Sequence, residues 1–265
     1  MSLCRIYSFM KSKLLYPLVL VGVLAGVGCM TTDEAETAAD FEEPMPNEKN
    51  ENHVKDSIGD HSPDSTDHRY RVVFLGDSIT AGFGVDEEKA FPYLVQLRVD
   101  EESLPFTIVN SGVSGETSSG GLNRIDWLLR NPIDVLLLEL GGNDGLRGID
   151  LSFTRSNLHA IVERTLERNP ECRILIAGMM VPPNLGHEYT TTFREIFPEL
   201  SRKYDADLIP FILEGVGGVR ELNQPDGIHP NAEGHKIVAE TVWKHLEPIL
   251  RGFDDREKQS IPEDD

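Results

Sequence analysis

RVVFLGDSITAGFG, residues 71–84, sets a β-rich apolar run directly against a loop holding three glycines. An apolar run this short, bounded by glycine, reads as a strand buried on both faces, and the glycines let the backbone turn sharply at its carboxyl end. Outward from it the same figure recurs. FTIVN (106–110) runs into NSGVSGETSSGG, DVLLLEL (134–140) into GGNDG, and RILIAGM (173–179) and ADLIPF (206–211) complete five strands. Between them lie amphipathic stretches at 91–101, 118–129, 152–169, 191–204 and 231–250. In 152–169, Leu158, Ile161, Val162 and Leu166 recur at the spacing of one buried helical face. Strands alternating with helices predict an α/β fold, a five-stranded parallel sheet between two helical layers. The expected order is flavodoxin-like, 2-1-3-4-5, in one domain spanning 70–251.

The formal charge of -20 is unevenly spread. Residues 30–69 form an acidic, Ser/Thr/Pro-rich linker in which twelve acids, all by residue 68, meet only Lys49 and Lys55 as lysines. It has too little apolar surface to offset the entropy of ordering, so it and the acidic tail 252–265 are expected to be disordered. The acidic balance excludes nucleic acid as a partner, because phosphate neutralisation needs clustered cations. Ahead of the linker, Arg5, Lys11 and Lys13 precede the apolar run 14–28, which ends at Cys29. Residues 1–29 read as an export signal, too short to span a bilayer comfortably. Gly26 and Gly28 before the cysteine resemble the lipobox of bacterial lipoproteins, although leucine is usual at position 26. The resemblance implies lipid on Cys29 and anchoring at a membrane surface, with Met30 pointing to the outer membrane and periplasm. An ordinary cleaved signal with an incidental Cys29 is the plainer alternative. Cys172 then has no partner and is expected to be a buried small hydrophobe.

In a sheet of this kind ligands bind beyond the carboxyl ends of the strands. Four loops fall at that edge. The first holds Ser78, which alone could be a helix cap. The second holds Gly115, and the third holds Asn143, an amide donor in a turn that also suits an asparagine with positive φ. The last, DGIHPNAEGH (226–235), sets Asp226 and His229 three residues apart. Together they supply a hydroxyl nucleophile, an imidazole base to take its proton, and a carboxylate to orient that base. Backbone N–H groups of Ser78 and Gly115 and the Asn143 amide are candidate donors to a developing oxyanion. No metal or cofactor is called for.

FLGDSITAGFG, Gly115 in SGET, GGND and DGIHP resemble the conserved blocks of the SGNH (GDSL) hydrolases, over about residues 70–250. VNSGVSGETS, LLLELGGNDGLRG and DGIHPN are similar to the bacterial thioesterase I/lysophospholipase/arylesterase subgroup. The resemblance implies a serine esterase with Ser78, Asp226 and His229 catalytic and Ser78, Gly115 and Asn143 as oxyanion hole. It further implies a mobile loop at 145–148 and an acyl channel along 179–186, with Asp144, Leu146, Arg147, Val181 and Pro182 contacting substrate. The expected partner is a small-molecule ester or lysophospholipid, and a monomer is expected. The absence of a GxSxG elbow separates the chain from the α/β-hydrolase fold. Carbohydrate O-deacetylation is the alternative within enzymes, and a non-catalytic surface lipoprotein the alternative outside them.

Overall fold

A computed structural model describes residues 69–260. The signal segment, Cys29 and the linker as far as residue 68 lie outside the described residues, as do residues 261–265. Five strands, β1 (Tyr70–Gly76), β2 (Phe106–Gly112), β3 (Val135–Glu139), β4 (Arg173–Ala177) and β5 (Asp207–Ile209), form one sheet in the order 2-1-3-4-5. Every pairing is parallel, with Val72 opposite both Ile108 and Val135. The predicted fold class and strand order are those found.

The helices are α1 (Ser78–Ala81), α2 (Phe91–Glu101), α3 (Ser118–Leu128), α4 (Gly142–Leu146), α5 (Leu151–Arg168), α6 (His187–Tyr204) and α7 (Ala232–Ser260). α2 packs with α7, while α3, α5 and α6 pack in series, giving a layer on each side of the sheet. Two-sided cover explains the unbroken apolar strands. Val72–Leu75 of β1 and Val135–Leu138 of β3 are fully buried or nearly so, with no alternation of exposed positions.

Several boundaries differ from the sequence reading, most by a residue or two at strand and helix ends. α6 begins at His187, a turn before the predicted start at 191, because Gly186 (φ +94°) admits the chain into the helix directly after the Pro183–Leu185 turn. α7 continues to Ser260, so the tail expected to be disordered from 252 is helical over its first part. The reason is packing at the base of the sheet, where Phe253 meets Tyr70 at 5.5 Å and Phe106 at 6.0 Å. Arg69, counted with the linker, is ion-paired to Asp100 at 2.8 Å. Short α1 and α4 were read as glycine-rich loops; each is a single turn, below the length that leaves a periodic signal.

β1 stands between β2 and β3, so the chain leaves it first to one side and then to the other. The connections diverge there and leave a crevice beyond the ends of β1 and β3, the switch point at which such sheets bind ligands. α1 closes down on β2 at this edge. A Cβ on Gly112 would stand 2.1 Å from the Ala81 nitrogen, and backbone cannot yield as a side-chain tip can. Gly112→Ala is therefore expected to cost about 1–3 kcal/mol, read as a lower Tm in thermal denaturation. An unchanged Tm would mean that α1 is free to lift from the sheet.

Candidate active site

Ser78 opens α1 immediately beyond β1. The cap of that turn is Asp77, whose Oδ1 accepts from the Ile79 N–H at 3.0 Å, so the Ser78 hydroxyl is not committed as a cap. Its Oγ lies 2.9 Å from Nε2 of His229. The His229 Nδ1 lies 2.7 Å from Oδ2 of Asp226. Residues 151 positions apart in sequence thus meet in one hydrogen-bonded line.

The His229 turn is fixed locally. Asp226 Oδ1 accepts from the N–H groups of Ile228 and His229, each at 3.0 Å. These donors, that of Ile228 foremost, hold the Asp226 carboxyl down at about 2, and His229 adds to the effect. Asp226 therefore stays ionised, and as an anion it can only accept, so Nδ1 carries the proton and Nε2 presents a lone pair to Ser78. The Phe83 ring, centred 4.8 Å from the imidazole, closes one side. Gln224, which sequence reasoning missed, ties the two loops together. Its Nε2 donates to Phe83 O at 2.6 Å and Pro230 O at 3.0 Å, and its N–H donates to His229 O at 2.8 Å. No spacing marks a glutamine for this role.

The candidate oxyanion donors converge from three loops. Neither the Ser78 nor the Gly115 N–H meets a protein acceptor among the described residues, so both remain available. Asn143, the third candidate donor, is already engaged. Its Nδ2 donates to Asp77 Oδ2 and to Glu116 O, both at 3.0 Å. An oxyanion must share or displace one of these bonds.

The site opens into a cavity of about 560 Å³ walled by Phe83, Leu146, Met179, Met180, Val181, Pro182, Phe211, Leu213 and Ile228, with Ser78, Gly115, Asn143 and His229 also on its lining. Leu146, Val181 and Pro182 stand where substrate contact was expected. Asp144 does not. It is buried and turned inward, accepting from Ser118 N (2.8 Å) and Oγ and from Thr154 Oγ1 (3.2 Å), because it pins α4 to the starts of α3 and α5. Arg147 is off the cavity lining and donates through Nη2 to Gly115 O at 2.9 Å, bracing the second loop.

Cys172 and His235 are held by burial. Burial pushes the Cys172 thiol up to about 12, leaving it protonated and unreactive. His235 is buried against Phe91, accepts its N–H through Nδ1 at 3.3 Å, and is held down at about 4 by burial. Among the described residues no group of three His, Cys, Asp or Glu side chains could hold a metal ion.

A hydroxyl bonded to an imidazole that a buttressed carboxylate orients, at the switch point of a flavodoxin-like sheet, defines the class: the protein is a serine hydrolase. A profile described as the GDSL-like lipase/acylhydrolase family matches residues 74–237. Esterase TesA of Pseudomonas aeruginosa is 37% identical over 68% of this chain and 89% of its own length. Thioesterase 1/protease 1/lysophospholipase L1 of Escherichia coli (strain K12) is 35% identical over 68% of this chain and 84% of its own. The crystal structure of the psychrotrophic esterase EstA from Pseudoalteromonas sp., inhibited by monoethylphosphonate, superposes with a TM-score of 0.65 at 30% identity, covering 68% of this chain and 98% of that one. The chain belongs to the GDSL-like lipase/acylhydrolase family and is an ester-cleaving hydrolase.

Asp226→Asn would keep the shape of the turn but let the amide offer a donor to Nδ1, favouring the wrong tautomer. Steady-state hydrolysis by this variant is expected to show kcat lower by about 1,000- to 10,000-fold with KM little changed. Near-native kcat would mean that Asp226 does not set the tautomer of His229.

Proposed function

We propose that the protein hydrolyses carboxylic esters or thioesters of lipid-like acyl groups through an acyl-Ser78 intermediate. His229 Nε2 takes the Ser78 proton as Oγ attacks the acyl carbonyl. The negative charge that develops on the carbonyl oxygen is met by the N–H groups of Ser78 and Gly115 and by Asn143 Nδ2, each such donor being worth about 100- to 1,000-fold in rate. As the tetrahedral intermediate collapses, His229 returns the proton to the departing alkoxide or thiolate. A water that gives its proton to His229 then attacks the acyl-serine, and a second collapse releases the carboxylic acid and restores the Ser78 hydroxyl. Asp226 stabilises the imidazolium in both halves without taking its proton.

The observation that carries this reading is the Ser78–His229–Asp226 line opening into a 560 Å³ cavity with apolar walls. Removing a CH₂ from water is worth about 0.8 kcal/mol, so such walls reward a long acyl chain and offer a sugar little. That favours lipid-like esters, lysophospholipids among them, over carbohydrate O-deacetylation. Hydrolysis of p-nitrophenyl esters from acetate to palmitate, beside a Ser78→Ala control, tests it. Serine-dependent turnover favouring medium or long chains is expected; turnover confined to acetate would shift the assignment to a deacetylase.

We also propose export and a lipid anchor at Cys29, a residue outside those described, with the acidic linker as spacer. Among the described residues no helix is long and apolar enough to cross a membrane. Cys29→Ala is expected to move the protein from the membrane to the soluble fraction. Retention on the membrane would remove the anchor.

A further inference from the structure

The chemistry above leaves one wholly buried carboxyl without a role. Glu139 ends β3, opposite Gly76 of β1, and no part of it reaches solvent. Space has been made for it, since a Cβ on Gly76 would stand 2.5 Å from Glu139 Oε2. That oxygen accepts from Thr80 Oγ1 at 2.7 Å and from the Asp77 N–H at 3.1 Å, both in the turn that carries Ser78. The other Glu139 oxygen, Oε1, is buried with no partner among the described residues; the Asp77 carboxyl is the neighbouring acid, and Asp77 Oδ2 receives the Asn143 amide.

Two neighbouring buried carboxyls, one of them with an oxygen that meets no donor, are best kept from carrying two full charges by a proton on one of them. The charged and titratable groups facing the pair are each other and, across Asp77, His229; Arg124 of α3, which reaches Gly76 O, is engaged by Glu116. No cation compensates a second anion there. Asp77 accepts two N–H donors, from Ile79 and Asn143, which favour its ionised form. Burial, then the neighbouring Asp77, pushes Glu139 well above the usual carboxylate range; Asp77 is also raised by burial, with its donors working against the shift.

We propose that Glu139 is a positioning residue: it stays protonated, donates to Asp77, and so keeps on Asp77 the acceptor that aims the Asn143 amide at the oxyanion and holds the Ser78 turn. The idea rests on Asn143 serving as an oxyanion donor. Were Asp77 to lose this support, the Asn143 side chain could rotate and present its carbonyl oxygen to the developing charge.

Glu139→Gln reproduces the protonated carboxyl, with an oxygen for Thr80 and the Asp77 N–H and a donor for Asp77. Glu139→Leu fills the space without either. In the full chain, with Tm checked for each variant, Glu139→Leu is expected to lower kcat on a p-nitrophenyl ester about 10- to 100-fold with KM changed less than about threefold, and Glu139→Gln to restore it to within about threefold of the native value. Asn143→Ala should cost much less in the Glu139→Leu background than in the native protein. Near-native kcat for Glu139→Leu, equal damage from both variants, or full additivity with Asn143→Ala would overturn the proposal. If Asn143→Ala alone leaves kcat unchanged, the oxyanion assignment itself has failed, which is a separate result. If Glu139→Leu does not fold, the pH profile of Glu139→Gln decides. Native kcat should fall as alkaline pH forces a second charge onto the pair, and the fall should move up by about a unit or more in Glu139→Gln; superimposable profiles would overturn the proposal.

Discussion

The position of β1 between β2 and β3 is the constraint from which the rest of this molecule follows. Its connections part at the carboxyl edge, so no crossover covers the ends of β1 and β3, and the loops that end there are free to carry chemistry. Ser78 follows β1 and Asn143 follows β3 for that reason. The apolar interior of the strands makes the arrangement rigid. A parallel sheet covered on both faces leaves its central strands no freedom to slide, and the site inherits that fixed frame.

Electrostatically, the site sets acids in two opposed environments. Asp226 sits in a turn whose own N–H groups stabilise its charge, so the imidazole is oriented by a permanent anion. Asp77 and Glu139 lie under Ser78, where desolvation dominates and a full double charge is costly. The same functional group is therefore favoured as an ion on one side of Ser78 and disfavoured as one by burial beneath it. The cavity is the third element, apolar along its walls with a few polar groups at its floor, the make-up usual for small-molecule sites.

Much of this was legible in the residues because it is encoded locally. Continuous apolar strands and glycine-rich loops have short-range signatures, and Asp226 and His229 lie within one turn. Other features are invisible at that range. The glutamate in DVLLLEL looks like a strand end reaching water, until the register sets it beside Gly76 in the interior. Asp144, adjacent to Asn143, points the opposite way because successive residues of a helical turn face different sides. The tail carried too many acids to suggest order, yet one aromatic side chain, Phe253, meeting Tyr70 and Phe106 accompanies a helix that runs on to Ser260.

The sequence by itself determined the fold class, the strand order and which residue types gather at one sheet edge, since these follow from periodicity, glycine placement and chain connectivity. Tertiary structure alone decided that Ser78 and His229 stand 2.9 Å apart, that the Asn143 amide is already engaged, and that Glu139 lies dry against Asp77. Distances and burial between segments far apart in the chain depend on how whole elements pack, and no local pattern carries that information.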